Sequence, residues 1–463
     1  MRMMELEPSG RAVAGRGRPA LRRGNPAGPS GAWRGAGVTI ITAAPRGQVA
    51  MRQVRMRGWI RAAAGLLGPA VVASVAYVDP GNFAANFAGG AEHGYELVWV
   101  IMMANLMAIL VQYLTAKAGL CTGRSLPELC RERFGRRANV MLWLQAEVVA
   151  MATDLAEFTG AAVGINLIFG LPLFPAGLIT AVVAFVILGL EQRGYRRFEL
   201  AIIALLALVG LGFAYLFVAV GGQHYHQLAA GLLPRLAGGD TLGLTVAIIG
   251  ATVMPHVIYL HSALQANRVH AARQGEHRAL LAGNKWDCIT GLGLAGLVNL
   301  AMLCIAAALF HKPGLTGISD LGPVHAHLAT LVGGGAALAF GVALMASGLS
   351  SSSVGTYSGQ VVMTGFMNWQ IPLLARRTLT MLPSLTVLAF AVSTTRALLH
   401  SQIILSFGIP FALIPLLLIT RDPATMTAMP NRRVTTTLML LTTVIIITGL
   451  NLYLLCDAIA GIL

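Results

Sequence analysis

The chain consists of long apolar runs, each roughly 18 to 25 residues in length, separated by short polar connections. A helical run of this length covers the ~30 Å hydrocarbon layer of a bilayer. Backbone groups in hydrocarbon must be hydrogen-bonded within the protein, so a spanning chain forms either helices or a closed β-barrel. A barrel would show alternating apolar and polar residues, and these runs are apolar throughout. The sequence therefore predicts an all-α membrane protein.

The composition agrees with this class, because 56% of the 463 residues are hydrophobic and only 11% are charged. A soluble domain of this length could not bury so much apolar surface. We predict eleven spans, at about 63–89, 94–119, 138–169, 172–191, 199–221, 241–266, 281–310, 329–358, 374–395, 400–420 and 435–458.

The net charge of +15 does not indicate a nucleic-acid-binding surface, because the basic residues follow the order of the spans. Arginine-rich segments fill the even-numbered connections, whereas the odd-numbered connections carry at most one Lys or Arg each. This is the positive-inside pattern. It predicts a multi-pass protein of the plasma membrane with a cytoplasmic N-terminus and an extracellular C-terminus.

Residues 1–60 precede the first span and hold many arginines together with Gly, Pro and Ala. We expect a disordered basic tail, or an upstream extension of a chain that starts at Met51 or Met56. A tail that binds the membrane surface is the alternative. The membrane domain then covers 61–463, with one repeat at about 63–221, a second at about 241–420 and an extra helix at about 435–458. The five cysteines form no paired motif, so we expect free thiols.

The first span is interrupted by the segment AYVDPGNFAAN. A carboxylate near the bilayer centre costs about 2.5–3.5 kcal/mol, so Asp79 is expected to face protein or water and to have a function. Pro80 lacks an N–H and Gly81 weakens the helix, so carbonyls near Ala76 lose their intrahelical donors. Asn82, three residues after Asp79, adds a side-chain oxygen that points in a similar direction.

The sixth span contains a second break, in the segment IIGATVMPHVIYLH, where Pro255 follows Met254 and precedes His256. A single proline in a membrane helix is usually a tolerated kink, and a single methionine or histidine usually packs. The two breaks are five spans apart, however, as expected if spans 1–5 and 6–10 are inverted repeats. Discontinuous helices in equivalent positions of two repeats indicate a substrate site at the bilayer midplane.

If the two breaks face each other, five groups converge. They are the carboxylate of Asp79, the amide oxygen of Asn82, the thioether of Met254 and backbone carbonyls near Ala76 and Ala251. Mg²⁺ and Ca²⁺ prefer shells made entirely of oxygen, whereas a thioether suits softer first-row transition metals. The set therefore favours Mn²⁺ or Fe²⁺, with Co²⁺, Zn²⁺ and Cd²⁺ as further candidates. An amino acid fits less well, because Asp79 would repel its carboxylate.

Three segments together resemble the Nramp family of proton-coupled divalent-metal transporters: DPGN at 79–82, MPH at 254–256 and GLSSSSVGTYSGQVVMTGF at 348–366. The resemblance covers roughly residues 58–458. It implies a LeuT-like fold of two inverted five-helix repeats plus an eleventh helix. It also implies import of Mn²⁺ and Fe²⁺ by alternating access, driven by a proton gradient and without a bound cofactor. The residues that it assigns to the metal are Asp79, Asn82, Met254, the carbonyls of Ala76 and Ala251, and Gln402 in some states.

The third span carries three acids, Glu147, Asp154 and Glu157, whose spacings of seven and three place them on one helix face. Such a stripe is costly inside a membrane unless it lines a wet path or pairs with bases. Arg376 and Arg377, at the start of the ninth span, are the candidate partners. The stripe is therefore either a proton route or a set of static ion pairs between helices; the resemblance favours the proton route through Asp154 and Glu157.

Coupling between metal transport and proton transport follows from the charge of Asp79. A cation that arrives beside a protonated Asp79 displaces its proton. That proton can leave through Glu157 and then Asp154, with His256 between the metal site and the acids. We expect a monomer in a lipid bilayer whose other partners are divalent metal ions and protons, with no nucleic acid.

Four alternatives remain open at this point. A cation or amino-acid symporter of the same fold would have a glycine-rich first break without an acid and would require Na⁺. An intramembrane enzyme would carry a motif such as HExxH or GxSxG, and neither is present, so we expect no enzyme. A metal sensor would carry a soluble output domain, and a channel would conduct without saturation. The absence of a phosphate-binding loop favours a gradient over ATP as the energy source.

Overall fold

The computed structural model describes residues 68–192, 195–235, 239–266, 276–312, 320–390, 393–426 and 434–460. The predicted basic tail, residues 1–60, lies outside the described residues. All regular elements of the described part are helices: α1 Pro69–Ala76, α2 Pro80–His93, α3 Val98–Thr122, α4 Leu126–Arg133, α5 Arg136–Phe169, α6 Leu173–Gln192, α7 Tyr195–Val220, α8 Tyr225–Ala230, α9 Gly239–Thr252, α10 Pro255–Ala266, α11 Glu276–Phe310, α12 Leu321–Leu331, α13 Gly334–Met367, α14 Leu373–Ala389, α15 Thr394–Arg421 and α16 Val434–Ala460.

Helices occupy all eleven predicted spans. Within the part of the chain that the structure describes, eight stretches are long and apolar enough to cross a membrane, with 18-residue windows of mean hydropathy from 1.4 to 2.6. The other three spans fall short for local reasons. The first is divided into helices of 8 and 14 residues and the ninth has 17 residues, while the fourth is the 20-residue helix α6, whose apolar stretch covers Leu173–Ile187. The predicted all-α membrane class is confirmed.

The predicted boundaries of the eighth span, 329–358, are wrong at both ends. A separate helix, α12, ends at Leu331, and α13 begins only at Gly334 and continues to Met367. Gly333 between them has a φ of 127°, which glycine adopts without a Cβ penalty. The run LATLVGGGAALAF is apolar across this break, so hydropathy alone could not locate it. The short helices α4, α8 and α12 all lie in connections where the sequence predicted no helix.

Close packing of α5 on α13 builds the centre of the molecule, and glycines make it possible. A Cβ on Gly164 of α5 would lie 2.6 Å from the backbone nitrogen of Met345, and one on Gly348 of α13 would lie 2.6 Å from that of Ala161. Small residues allow membrane helices to approach in this way. Gly160, one turn before Gly164, packs against Pro80. The helix with the acidic stripe therefore contacts the first break directly.

The N-terminus of α1 is capped from another helix. The buried carboxylate of Asp287 on α11 accepts hydrogen bonds from the backbone N–H of Gly68 at 3.3 Å and of Ala70 at 3.1 Å. These are amides that a helix leaves unpaired at its start. The cap fastens the first half of the broken span to the second half of the chain.

The connection between α3 and α5 is the short basic helix α4, which begins with a capping box formed by Ser125 and Glu128. Arg133 at its end pairs with Asp422, beyond α15, at 2.7 Å. Both side chains are partly exposed, so this pair contributes little to stability. The five cysteines of the chain are free thiols.

Candidate metal site

The first break places a buried carboxylate at the start of a helix. α1 ends at Ala76 and α2 begins at Pro80, with Asp79 as its N-cap. Oδ1 of Asp79 accepts hydrogen bonds from the backbone N–H of Asn82 at 2.9 Å and from its side-chain Nδ2 at 2.7 Å. Oδ2 of the same carboxylate is buried and has no hydrogen-bond partner. One carboxylate oxygen is thus held in place while the other stays available to a ligand.

The two prolines act in the same way at the two breaks. In an unbroken helix the carbonyl of Ala76 would accept from the N–H of residue 80, and that of Ala251 from the N–H of residue 255. Pro80 and Pro255 have no N–H to donate. Each break therefore exposes the carbonyl four residues before its proline.

Asn82 connects the two breaks. Its Nδ2 donates to Asp79 and also to the carbonyl of Ala251, at 3.0 Å. The predicted convergence of the first and sixth spans is thus present in the structure. Because both donations come from the amide nitrogen, the Oδ1 atom of Asn82 is left without a partner in a fully buried position.

Gln402 of α15 approaches the same place. Its side chain lies against Gly81, where any Cβ would overlap it, and its backbone carbonyl lies against Gly250. Its Oε1 atom is buried and unpaired. Met254, in the linker between α9 and α10, is fully buried. The structure thus places Gln402 beside the break residues, and its unpaired Oε1 atom is available to a ligand.

The donors near the breaks are one carboxylate, neutral oxygens and a thioether. The described residues include no group of three or more His, Cys, Asp or Glu side chains that could hold a metal ion. A site with a single negative charge does not bind a divalent cation as strongly as a multi-carboxylate cage does. Such a site suits an ion that must be released again.

Two acids of the stripe on α5 are paired with arginines of α14. Arg376 donates to both carboxylate oxygens of Glu147, at 3.2 and 2.7 Å. Arg377 donates to Asp154 at 3.0 Å. The Arg377 pair is the more buried, with side chains 2% and 7% exposed. The structure therefore joins the predicted acids and bases in two interhelical ion pairs.

The third acid, Glu157, stands apart from these pairs. Both of its carboxylate oxygens are buried without a hydrogen-bond partner. The carboxylate packs against Gly355 of α13, where a Cβ would come within 2.5 Å of Oε2. It also lies close enough to Asp79 and Asp154 to interact with both electrostatically. Glu157 is thus the acid of the stripe that lies between the metal site and the ion pairs.

His256 follows the proline of the second break and reaches the acidic helix. Its Nδ1 lies 3.1 Å from the hydroxyl oxygen of Thr153, while its Nε2 is buried and unpaired. Thr153 and Glu157 are one turn apart on α5 and share a face. The histidine therefore contacts a threonine of the acidic helix, and its predicted place between the metal site and the acids stays a prediction.

The sequence analysis missed a polar chain behind the first break. Gln112 of α3 donates to the hydroxyl of Tyr77 at 2.6 Å, and its Oε1 lies 2.8 Å from Nδ1 of His261. A buried glutamine in an apolar span was the available signal.

Comparisons with known proteins agree with this geometry. The family model described as Nramp, natural resistance-associated macrophage protein-like, matches residues 70–457. The chain is 48% identical over 428 residues to a divalent metal cation transporter MntH of Deinococcus radiodurans, covering 92% of this chain and 95% of the relative. It is 43% identical over 421 residues to a protein of the same name from Bacillus subtilis, covering 90% and 98%.

Two solved structures are informative about the fold. The manganese transporter of Eremococcus coleocola, in complex with an aromatic bis-isothiourea substituted compound, superposes with a TM-score of 0.79 at 31% identity, covering 88% of this chain and 89% of that one. Mhp1, a nucleobase-cation-symport-1 family transporter, superposes with a TM-score of 0.53 at 14% identity, covering 84% and 92%. The second likeness concerns the fold alone.

Proposed function

The chain belongs to the Nramp family, and we propose that it is a secondary transporter that imports the divalent transition-metal ions Mn²⁺ and Fe²⁺ into the cytoplasm together with protons. It is a multi-pass membrane protein with a LeuT-like fold of two inverted five-helix repeats and an eleventh helix. The names of its relatives support transport of metal ions and give no reason to expect an enzyme.

One observation carries the proposal. The two facing breaks leave Oδ2 of Asp79, Oδ1 of Asn82 and Oε1 of Gln402 buried without partners. A buried polar oxygen without a hydrogen bond is costly, so such atoms need an explanation. A cation would satisfy all of them together, with the carbonyls exposed by the two prolines. The same oxygens would not suit a second anion, because Asp79 already brings a negative charge.

Met254 supports a transition metal over Ca²⁺ or Mg²⁺. It is buried at the second break, and a thioether is a ligand that first-row and softer metals tolerate better than alkaline-earth ions do. Mn²⁺ and Fe²⁺ are the substrates we propose. Ca²⁺ and Mg²⁺ are excluded because this position offers a sulfur atom where these ions need an oxygen ligand.

Proton coupling is proposed through Asp79 and Glu157. A metal ion that binds Asp79 displaces any proton held there. Glu157 is near and buried, and its carboxylate oxygens have no hydrogen-bond partner, so it is the first group able to receive that proton. Asp154, with Arg377, follows on the same helix. The alternative is that the two ion pairs are static and carry no proton.

We further propose that alternating access exposes the site first to the outside and then to the cytoplasm, with the N-terminus cytoplasmic and the C-terminus extracellular. The placement of arginines in even-numbered connections supports this orientation. We propose that the protein works as a monomer, since each chain holds both breaks and the acids beside them.

The test is uptake of Mn²⁺ and Mg²⁺ into liposomes that contain the purified protein, with and without an acidic exterior. Saturable Mn²⁺ uptake that is stimulated by the proton gradient and lost in Asp79→Ala is the expected result. Asp422→Asn, at a partly exposed carboxylate far from the breaks in the sequence, is the matched control and should transport normally. Uptake by Asp79→Ala at the wild-type rate would show that the site lies elsewhere.

A further inference from the structure

The linker between α1 and α2 presents more carbonyls than the metal site uses. α1 ends at Ala76, so the carbonyls of Tyr77 and Val78 also lie in non-helical backbone before Asp79. Such oxygens are hard ligands, and hard ligands favour ions such as Ca²⁺. A site that is selective for transition metals must therefore keep these carbonyl oxygens hydrogen-bonded to other groups of the protein.

Two side chains from other helices bind these carbonyls. Asn299 of α11 donates from Nδ2 to the carbonyl of Tyr77 at 2.9 Å. Ser347 of α13 donates from Oγ to the carbonyl of Val78 at 2.5 Å. Asn299 and Ser347 are each 1% exposed. Neither residue belongs to the predicted metal or proton groups.

The orientation of Asn299 is fixed at both ends. A backbone carbonyl can only accept a hydrogen bond, so Asn299 must present its amide nitrogen to Tyr77. Its Oδ1 then faces Nδ2 of Asn86 on α2, which donates to it at 3.2 Å. The side chain therefore cannot rotate without losing a bond on each side.

The helices that bind the two linker carbonyls differ from the elements that supply the metal donors. The carbonyls of Tyr77 and Val78 are bound by α11 and α13. The donors from outside the first span are Ala251 in the last turn of α9, Met254 in the α9–α10 linker and Gln402 of α15. Among the linker carbonyls, that of Ala76 is left for the metal.

We infer that Asn299 and Ser347 determine the ion specificity of the site by withholding two carbonyl oxygens from the bound cation. This inference rests on the proposed function. Ca²⁺ takes six to eight oxygen ligands, more than the unpaired side-chain oxygens of Asp79, Asn82 and Gln402 and the Ala76 carbonyl provide, even if the Ala251 carbonyl exchanges its hydrogen bond from Asn82 for the cation. Removing either hydrogen bond frees a carbonyl to turn toward the cation, which adds the kind of ligand that Ca²⁺ lacks here.

A merely structural role makes a different prediction. If Asn299 and Ser347 only hold the linker together, their removal lowers uptake of every ion in the same proportion. If they withhold oxygens, the ratio of Ca²⁺ to Mn²⁺ uptake rises even when total uptake falls. The ratio is therefore the quantity to measure.

The experiment compares Ca²⁺ and Mn²⁺ uptake in liposomes for wild type, Ser347→Ala and Asn299→Ala. The loss of one buried hydrogen bond predicts a rise of about tenfold in the Ca²⁺ to Mn²⁺ ratio for each variant. Ser347→Thr keeps the hydroxyl and should keep the wild-type ratio. Ser347→Cys keeps the volume with a weaker donor and should show an intermediate ratio.

A second pair of residues provides matched controls. Ser406 of α15 and Asn451 of α16 are also buried and also hydrogen-bond across helices, with Ser406 Oγ donating to Asn451 Oδ1 at 2.8 Å. Their hydrogen bonds join α15 to α16 and do not involve the carbonyls of Tyr77 or Val78. Ser406→Ala and Asn451→Ala should therefore leave the ratio unchanged.

The outcomes separate the inference from the function on which it rests. No Mn²⁺ uptake by wild type would overturn the proposed function and the inference with it. Mn²⁺ uptake by wild type together with an unchanged ratio in both alanine variants would overturn the inference alone. Thermal stabilisation of the folded, detergent-purified variants by Ca²⁺ and by Mn²⁺ compares the binding of the two ions without a flux measurement. A variant that transports slowly can therefore still be tested for a changed preference between the two ions.

Discussion

The Arg377–Asp154 pair can be tested as a proton relay against a static ion pair. Arg377 is 2% exposed and donates to Asp154 at 3.0 Å and to the carbonyl of Ser352 at 3.2 Å, with further bonds to the hydroxyls of Ser352 and Thr356. Arg377→Met leaves a buried carboxylate without its cation. We expect the free energy of unfolding to fall by about 3–5 kcal/mol.

Replacing both partners should restore most of that loss. In Arg377→Met/Asp154→Leu no charge stays buried, and apolar replacements of buried ion pairs are often neutral or stabilising. The hydroxyls of Ser352 and Thr356 each lose the hydrogen bond that Arg377 donates to them, at a cost of about 1 kcal/mol per bond. The carbonyl of Ser352 also loses Arg377 but keeps the hydroxyl of Thr356 as a donor, so its loss adds little. Stability therefore returns to within ~2 kcal/mol of wild type by this sum.

The assay measures unfolding in detergent together with proton and Mn²⁺ flux in liposomes. If Asp154 relays protons, the double variant is stable, binds Mn²⁺ and still fails to move protons. Arg133→Ala, which breaks the exposed pair with Asp422, is the control and should cost under ~1 kcal/mol. Recovery of both stability and proton flux in the double variant would refute the relay and leave a static pair.

Three further substitutions test the site. Met254→Ala should retain part of the Mn²⁺ uptake while admitting Ca²⁺ or Mg²⁺, because the sulfur ligand is lost; continued rejection of both ions in a competition assay would contradict the role of the thioether. Glu157→Gln should impair proton flux more than Mn²⁺ binding measured by calorimetry, and equal losses would argue against a separate relay. Gly81→Ala should abolish Mn²⁺ binding because its Cβ overlaps Gln402, whereas Gly210→Ala, with no atom within 4 Å of a Cβ, should bind normally.

Much of the fold was accessible from the sequence because its signals are local. Apolar run length predicts spans, and Pro80 and Pro255 break helices wherever they stand in the bilayer. The boundary at Gly333 was missed because hydropathy is continuous across it. The break depends on one residue's φ of 127°, and composition does not report backbone angles.

The site was less accessible, because its unpaired atoms depend on tertiary contacts. The sequence suggested Arg376 and Arg377 as partners of the acids, but the acid left unpaired, Glu157, follows from the packing of α5 on α13. Asn299 and Ser347 were not predicted at all. An asparagine and a serine in apolar helices give no hint of which carbonyl they bind until the helices are assembled.

The most direct test of the central claim is X-ray absorption spectroscopy at the manganese edge of the Mn²⁺-bound protein, on wild type, Met254→Ala and Asp79→Ala. We expect a shell of oxygens with one sulfur in wild type, the same shell without sulfur in Met254→Ala, and no bound Mn²⁺ in Asp79→Ala. A shell without sulfur in wild type, or Mn²⁺ bound equally well by Asp79→Ala, would contradict a metal site between the two broken helices.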